Sequence, residues 1–189
     1  LFTVGEADRG EGLEAIAEDG SATGLAESLA TMTGVTNVLS PGVYVVHTDN
    51  DPIFTVGQAD RGEGLEAIAE DGNAGALAEV LANNFMGSNG AFAVPVGASD
   101  PGPVLPGGAY EFSIEAEMGD YLTFATMFVQ SNDLFIAPDG MGIVLFENGM
   151  PISGDITSQV LLWDAGTEAN ERPGFGANQA PRQSGPDTG

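Results

Sequence analysis

From residue 90 onward the chain is cut into short apolar stretches by clusters of Gly, Pro, Asn and Asp, and this punctuation limits it to short strands joined by tight turns. The stretches are "AFAVPVG" (91–97), "AYEFSIEAE" (109–117), "YLTFATMFVQ" (121–130), "GIVLFENG" (142–149) and "SQVLLWD" (158–164). Between them stand "PGPVLPGG", "MGD", "SNDLFIAPDGM" and "MPISGD". A further strand is read at "SPGVYVVHT" (40–48). Roughly six strands without βαβ alternation predict a mainly β, antiparallel β-sandwich. In the 121–130 stretch, Phe124, Thr126, Phe128 and Gln130 share one parity and Ala125, Met127 and Val129 the other. A strand apolar on both parities is expected at the centre of a sheet, covered on both faces.

The front of the chain is duplicated. Residues 1–30, "LFTVGEADRGEGLEAIAEDGSATGLAESLA", match residues 53–82, "IFTVGQADRGEGLEAIAEDGNAGALAEVLA", at 24 of 30 positions with an offset of 52. Two copies are too few for a solenoid. Each reads as a short strand, then a helix beginning near Glu63 in the second copy, with Leu65, Ile68 and Ala69 at helical spacing and Asp71-Gly72 as its stop. Leu77, Val80 and Leu81 make a further helical turn or two. The expected organisation is an appendage over residues 1–38 and a β-sandwich domain over 39–189. The tail, "ANERPGFGANQAPRQSGPDTG", is nearly free of aliphatic residues and reads as a long loop or disorder.

Charge narrows the function. Asp and Glu number 28 against four Lys plus Arg, a net charge of −24. The basic residues are Arg9, Arg61, Arg172 and Arg182, and no lysine is present. Phosphate backbones and anionic membrane surfaces are therefore excluded as partners. No apolar run of membrane-spanning length occurs. The acidity fits life at high salt, where screening and hydrated carboxylates keep a protein soluble, and it fits binding of divalent cations.

Catalytic constellations are scarce. His47 is the sole histidine and cysteine is absent, which removes the zinc sets and the thiol nucleophiles. The G-x-G-x-x-A match at Gly62–Ala67 would set Glu63 and Glu66 against a pyrophosphate, so it is read as a turn into a short helix. No catalytic residue is assigned and no enzymatic activity is expected. EF-hand spacing is also absent, because Pro-Ile-Phe follows Asp49-Asn50-Asp51. A calcium site would have to be gathered from separate loops. Asp133 and Asp164 close two apolar stretches, and Glu168 returns after an Ala-Gly-Thr turn. The plainer reading is that such acids cap turns.

"TMFVQSNDLFIAPDGMGIVLFENG" followed by "SQVLLWDAGTEANERPG" resembles the spondin N-terminal domain, with "LSPGVYVVHT" and "GLEAIAEDG" supporting it upstream. The resemblance covers about residues 39–189. It implies a C2-like β-sandwich with one or two short helices near the N-terminus, secreted, holding one Ca2+ through Asp133, Asp164 and Glu168. Glu168 departs from the family's Asp, and the family's final strand has no counterpart before Gly189. The expected role is extracellular, in adhesion to surface or matrix proteins. A sheet edge left open could take a strand from a neighbour, so self-association into a filament through the duplicated unit is the alternative expectation.

Overall fold

The computed structural model describes residues 13–24, 38–174 and 176–180. The chain divides into two compact units, Leu1–Thr36 and Asn37–Gly189. In the first unit the described element is helix α1 (Leu13–Asp19), after which the chain turns at Gly20 with φ +69°. The strand expected at residues 2–4 and the helical turns expected at 25–30 lie outside the described residues.

The second unit is mainly β and antiparallel. Its elements are β1 (Leu39–His47), α2 (Leu65–Asp71), α3 (Gly75–Asn84), β2 (Asn89–Phe92), β3 (Tyr121–Phe128), β4 (Leu134–Ala137), β5 (Ile143–Val144), β6 (Phe146–Glu147), β7 (Met150–Pro151) and β8 (Leu161–Asp164). The main sheet runs β2-β1-β3-β4-β8 with β5 also on β3, while β6 and β7 form a separate two-stranded ribbon. As its apolar parities require, β3 is central, paired with β1 along one edge and with β4 and β5 along the other.

One face of the sheet is covered by the second copy of the duplicated segment. Leu65, Ile68, Ala69, Leu77 and Leu81 from α2 and α3 pack on Val43 and Val45 of β1, Ala125 of β3, and Phe135 and Ala137 of β4. Positions i, i+3 and i+4 of α2 form the buried stripe. Gly72 ends α2 at φ +65°, its N–H bonding back to the Ile68 carbonyl at 2.9 Å while Asn73 N–H reaches Ala67. That pattern satisfies the carbonyls a helix C-terminus leaves open.

The other face is covered by rings. Phe112 stacks on Tyr44 (4.3 Å between centroids) and on Phe92 (5.5 Å), both within 10° of parallel. The stretch 109–117, expected as a strand, forms none, its one ladder contact being a bridge between Pro95 and Tyr110. Its alternating Tyr110 and Phe112 point onto the sheet face, and a segment lying across a face does not also extend the ladder.

Other strands are shorter than expected. The 142–149 stretch splits at Leu145 into β5 and β6, and Asn148 (φ 53°) and Gly149 (φ 78°) form the two-residue turn of the β6–β7 hairpin. An Asn-Gly pair with two positive φ values is the turn such hairpins prefer. A 3₁₀ turn at Thr157–Gln159 shortens the last stretch to β8. β4 lies within the separator "SNDLFIAPDGM", yet it pairs with both β3 and β8. The described part of the tail is folded: Gln179 is fully buried and donates to the Arg172 carbonyl at 2.6 Å, and Gly174 N–H reaches Gln130 O at 2.7 Å. Hydrogen bonds hold it where apolar burial is lacking. Residues 181–189 lie outside the description.

Gly42 is closely flanked by the strands on either side of β1. A Cβ there would collide with the Ala125 carbonyl oxygen and lie 2.5 Å from Phe92 Cζ. Gly42→Ala is expected to cost about 1–3 kcal/mol, the usual penalty of overpacking, in urea unfolding. Gly102→Ala, where nothing lies within 4 Å of the new Cβ, should stay within about 0.5 kcal/mol of the parent. Equal losses at the two sites would refute this packing.

Candidate metal centre

The strands carrying the predicted acids are neighbours. β4 and β8 pair with Leu134 opposite Asp164 and Phe135 opposite Trp163, and Ala165 N–H extends the ladder to the Asp133 carbonyl at 3.1 Å. Asp133 thus opens β4 and Asp164 closes β8 at the same sheet end. The pleat then separates their side chains, since Asp164 shares a face with Leu134 while Asp133 shares one with Ala165. Asp133 is 1 % exposed and Asp164 is exposed.

Both carboxylates hold the turn that follows. Asp164 Oδ1 accepts Gly166 N–H at 2.7 Å, with Gly166 at φ +71°. Asp133 Oδ2 accepts Thr167 N–H at 3.2 Å and Glu168 N–H at 3.1 Å. The loop before β4 is fixed in turn by its own side chains. Ser131 Oγ receives Leu134 N–H at 3.1 Å, and Asn132 Nδ2 donates to the Ala169 carbonyl at 2.7 Å. Asn132, Asp133 and Glu168 are each 1 % exposed. The three predicted residues therefore occupy one loop junction, with Asp133 and Glu168 inside and Asp164 turned out at the rim. Turn capping, the plainer expectation, is part of what Asp133 and Asp164 do.

Burial raises the Asp133 pKa above the ordinary carboxylate value. The N–H of Glu168 works against that rise, the charge of Asp164 adds to it, the N–H of Thr167 opposes it, and the charge of Glu70 adds again. Glu70, 5 % exposed at the end of α2, belongs to this electrostatic neighbourhood, though its sequence carries no sign of it. In "LEAIAEDG" it looks like any solvated helix-end acid, and only the docking of α2 on the sheet turns it inward.

Two buried oxygens in this loop, Asp133 Oδ1 and Thr167 Oγ1, have no hydrogen-bond partner among the described residues. An unmet buried oxygen is costly in a folded protein. Oxygen-only donors suit calcium, which also accepts backbone carbonyls and water. On that ground the junction fits the ion. Among the described residues, however, no three His, Cys, Asp or Glu side chains are gathered at metal-ligand spacing. His47 takes no part. It is 4 % exposed and occupied on both nitrogens, by the Asp49 carbonyl (2.7 Å) and Thr123 Oγ1 (2.9 Å).

No known protein family, curated protein or solved structure matches the chain. The likeness to spondins rests on the sequence strings quoted above. Among the described residues no helix is long and apolar enough to cross a membrane.

The raised Asp133 pKa sets a pH dependence. A carboxyl bound more tightly to its proton in the folded than in the unfolded chain adds stability below the unfolded pKa, and that stability is lost as pH rises through the folded value. Asp133→Asn should therefore melt a few degrees above the parent at pH 7 in chelator, with the gap closing near pH 4. Circular dichroism melts at the two pH values check this, and a gap independent of pH would contradict it.

Proposed function

We propose that the chain is an extracellular calcium-binding β-sandwich domain that acts in adhesion or in contacts with surface and matrix proteins. The observation carrying this reading is Asp133, a buried carboxylate whose Oδ1 has no hydrogen-bond donor among the described residues and whose pKa is raised by burial and further by the charge of Asp164 at the rim. Asp133 and Glu168 from inside, joined by Asp164 swung in from the rim, would hold one Ca2+, with Thr167 Oγ1, backbone carbonyls and water as further oxygen donors. A bound ion supplies positive charge where the loop gathers negative charge. The side chains themselves tie the loop before β4 to the turn after β8, fixing one sheet end as a rigid platform. The likeness of the Trp163–Thr167 string to spondins supports the extracellular role, and the charge of −24 leaves nucleic acid and anionic lipid outside the partner range.

Calcium is expected to raise the melting temperature and chelator to lower it. At a free concentration 100 times the dissociation constant, the gain is about 2.7 kcal/mol. Asp133→Asn should abolish the response. The measurement belongs in molar NaCl, where screening removes the general effect of cations on an acidic surface. A parent melting temperature indifferent to chelator there would overturn the proposal.

A further inference from the structure

The heptapeptide Leu-Glu-Ala-Ile-Ala-Glu-Asp occurs twice and is helical twice, as α1 and as α2. Its surroundings differ. In α2, Leu65 is 3 % exposed and Ile68 and Ala69 are fully buried on the sheet. In α1, Ile16 is 37 % exposed and Ala17 is exposed too. The same Ile-Ala pair thus has a built seat in one copy and is exposed in the other.

The differences between the copies spare that stripe. Gln58, Asn73, Gly75, Ala76 and Val80 are replaced by Glu6, Ser21, Thr23, Gly24 and Ser28, and none of these five resident positions is buried. The one buried difference, Ile53 against Leu1, stays aliphatic. The buried Leu65, Ile68, Ala69, Ala74, Leu77 and Leu81 recur unchanged as Leu13, Ile16, Ala17, Ala22, Leu25 and Leu29. The helix stop recurs as well, with Gly20 at φ +69° and Gly72 at +65°. A Cβ on Gly72 would lie 2.7 Å from Ser40 Cβ, whereas nothing lies within 4 Å of the same position on Gly20.

We infer that α1 is a second key for the seat of α2, and that it occupies this seat in another copy of the chain. The order of elements favours another copy over the same one. The resident segment leaves at Phe85, whose ring is 6.4 Å from that of His47, at the far end of β1. The counterpart of Phe85 in the spare segment is Thr33, so in its own domain that segment would have to return from there to Leu39 through residues 34–38. The eight steps of β1 span about 26 Å at about 3.3 Å each, more than the roughly 22 Å that six extended steps reach. The seat in a second chain imposes no such stretch. Each chain offers one key and one seat, and the key of one chain enters the seat of the next, so the contact is head-to-tail and builds an open row. Exchange swaps one exposed stripe for another and gains no apolar burial, so it proceeds where the chain concentration rivals the effective concentration of the tethered resident segment, on the order of millimolar. Chains carrying −24 approach one another only when salt shortens the Debye length to about 3 Å near 1 M.

Two measurements test this on the full chain, which has no cysteine of its own. Light scattering in molar NaCl should show a mass that grows with protein concentration. Ile16→Asp should stay monomeric with an unchanged melting temperature, since Ile16 is not part of the sheet core. Mixing Gly20→Cys with Ser40→Cys chains and oxidising should give a mixed disulfide dimer at least tenfold above that of Gly20→Cys with Ser99→Cys. Ser40 is 3 % exposed, so its thiol is reached only where the resident segment has left. A mass independent of concentration, or association that survives Ile16→Asp, would overturn the inference. Association lost in Ile16→Asp without the mixed dimer would overturn it equally, by placing the helix on some other surface.

Discussion

A carboxylate carried into the interior governs one end of this domain. Asp133 gives its Oδ2 to two backbone N–H groups of the turn after β8 and its carbonyl to Ala165, so three bonds from one residue join β4 to the segment beyond β8. Burying that charge is costly without full satisfaction of its oxygens, and Oδ1 is not satisfied by the described residues. The geometry of the loop, its raised pKa and the case for a cation all follow from this imbalance. Removing the charge and supplying a counter-charge are two solutions to the same problem, and they differ in what pH and chelator do.

The rest of the domain holds that junction still. Helices α2 and α3 cover the inner face of β1, β3 and β4, and the stacked rings of Tyr44, Phe112 and Phe92 cover the outer face. Phe135, one residue past Leu134, is fully buried and packs edge-on against Phe54 at 5.1 Å. Core packing and loop geometry are therefore coupled through β4. Glu70 links them a second time, since the helix that fills the core also carries a charge facing Asp133. Because the core-filling segment exists in two copies, the feature that stabilises the domain also gives the chain a way to join others.

Much of the fold was legible from apolar periodicity. The centre strand β3, the length of β1, the stripe of α2 and its glycine stop were all read from spacing alone. What escaped depended on distant context. β4 is four residues of mixed exposure flanked by Ser-Asn-Asp and Pro-Asp-Gly, and turn chemistry outweighed its short pattern. The 109–117 stretch alternates as a strand does, yet its rings cap a sheet face. At the site, the sequence placed Asp133, Asp164 and Glu168 at one junction but not their orientation. The pleat turns Asp164 outward, and backbone N–H groups, invisible in a sequence, occupy oxygens that a string of acids seems to offer to an ion. Glu70 was hidden for the same reason, being brought in by tertiary docking.

Crystals grown in calcium and examined by anomalous difference maps ask the central question at the atom that raises it. A calcium centre requires one peak about 2.3–2.6 Å from Asp133 Oδ1 with six to eight oxygens around it. Featureless density there, with Oδ1 hydrogen-bonded to water or protonated against a neighbouring carboxylate, would contradict it and leave Asp133 as a turn cap.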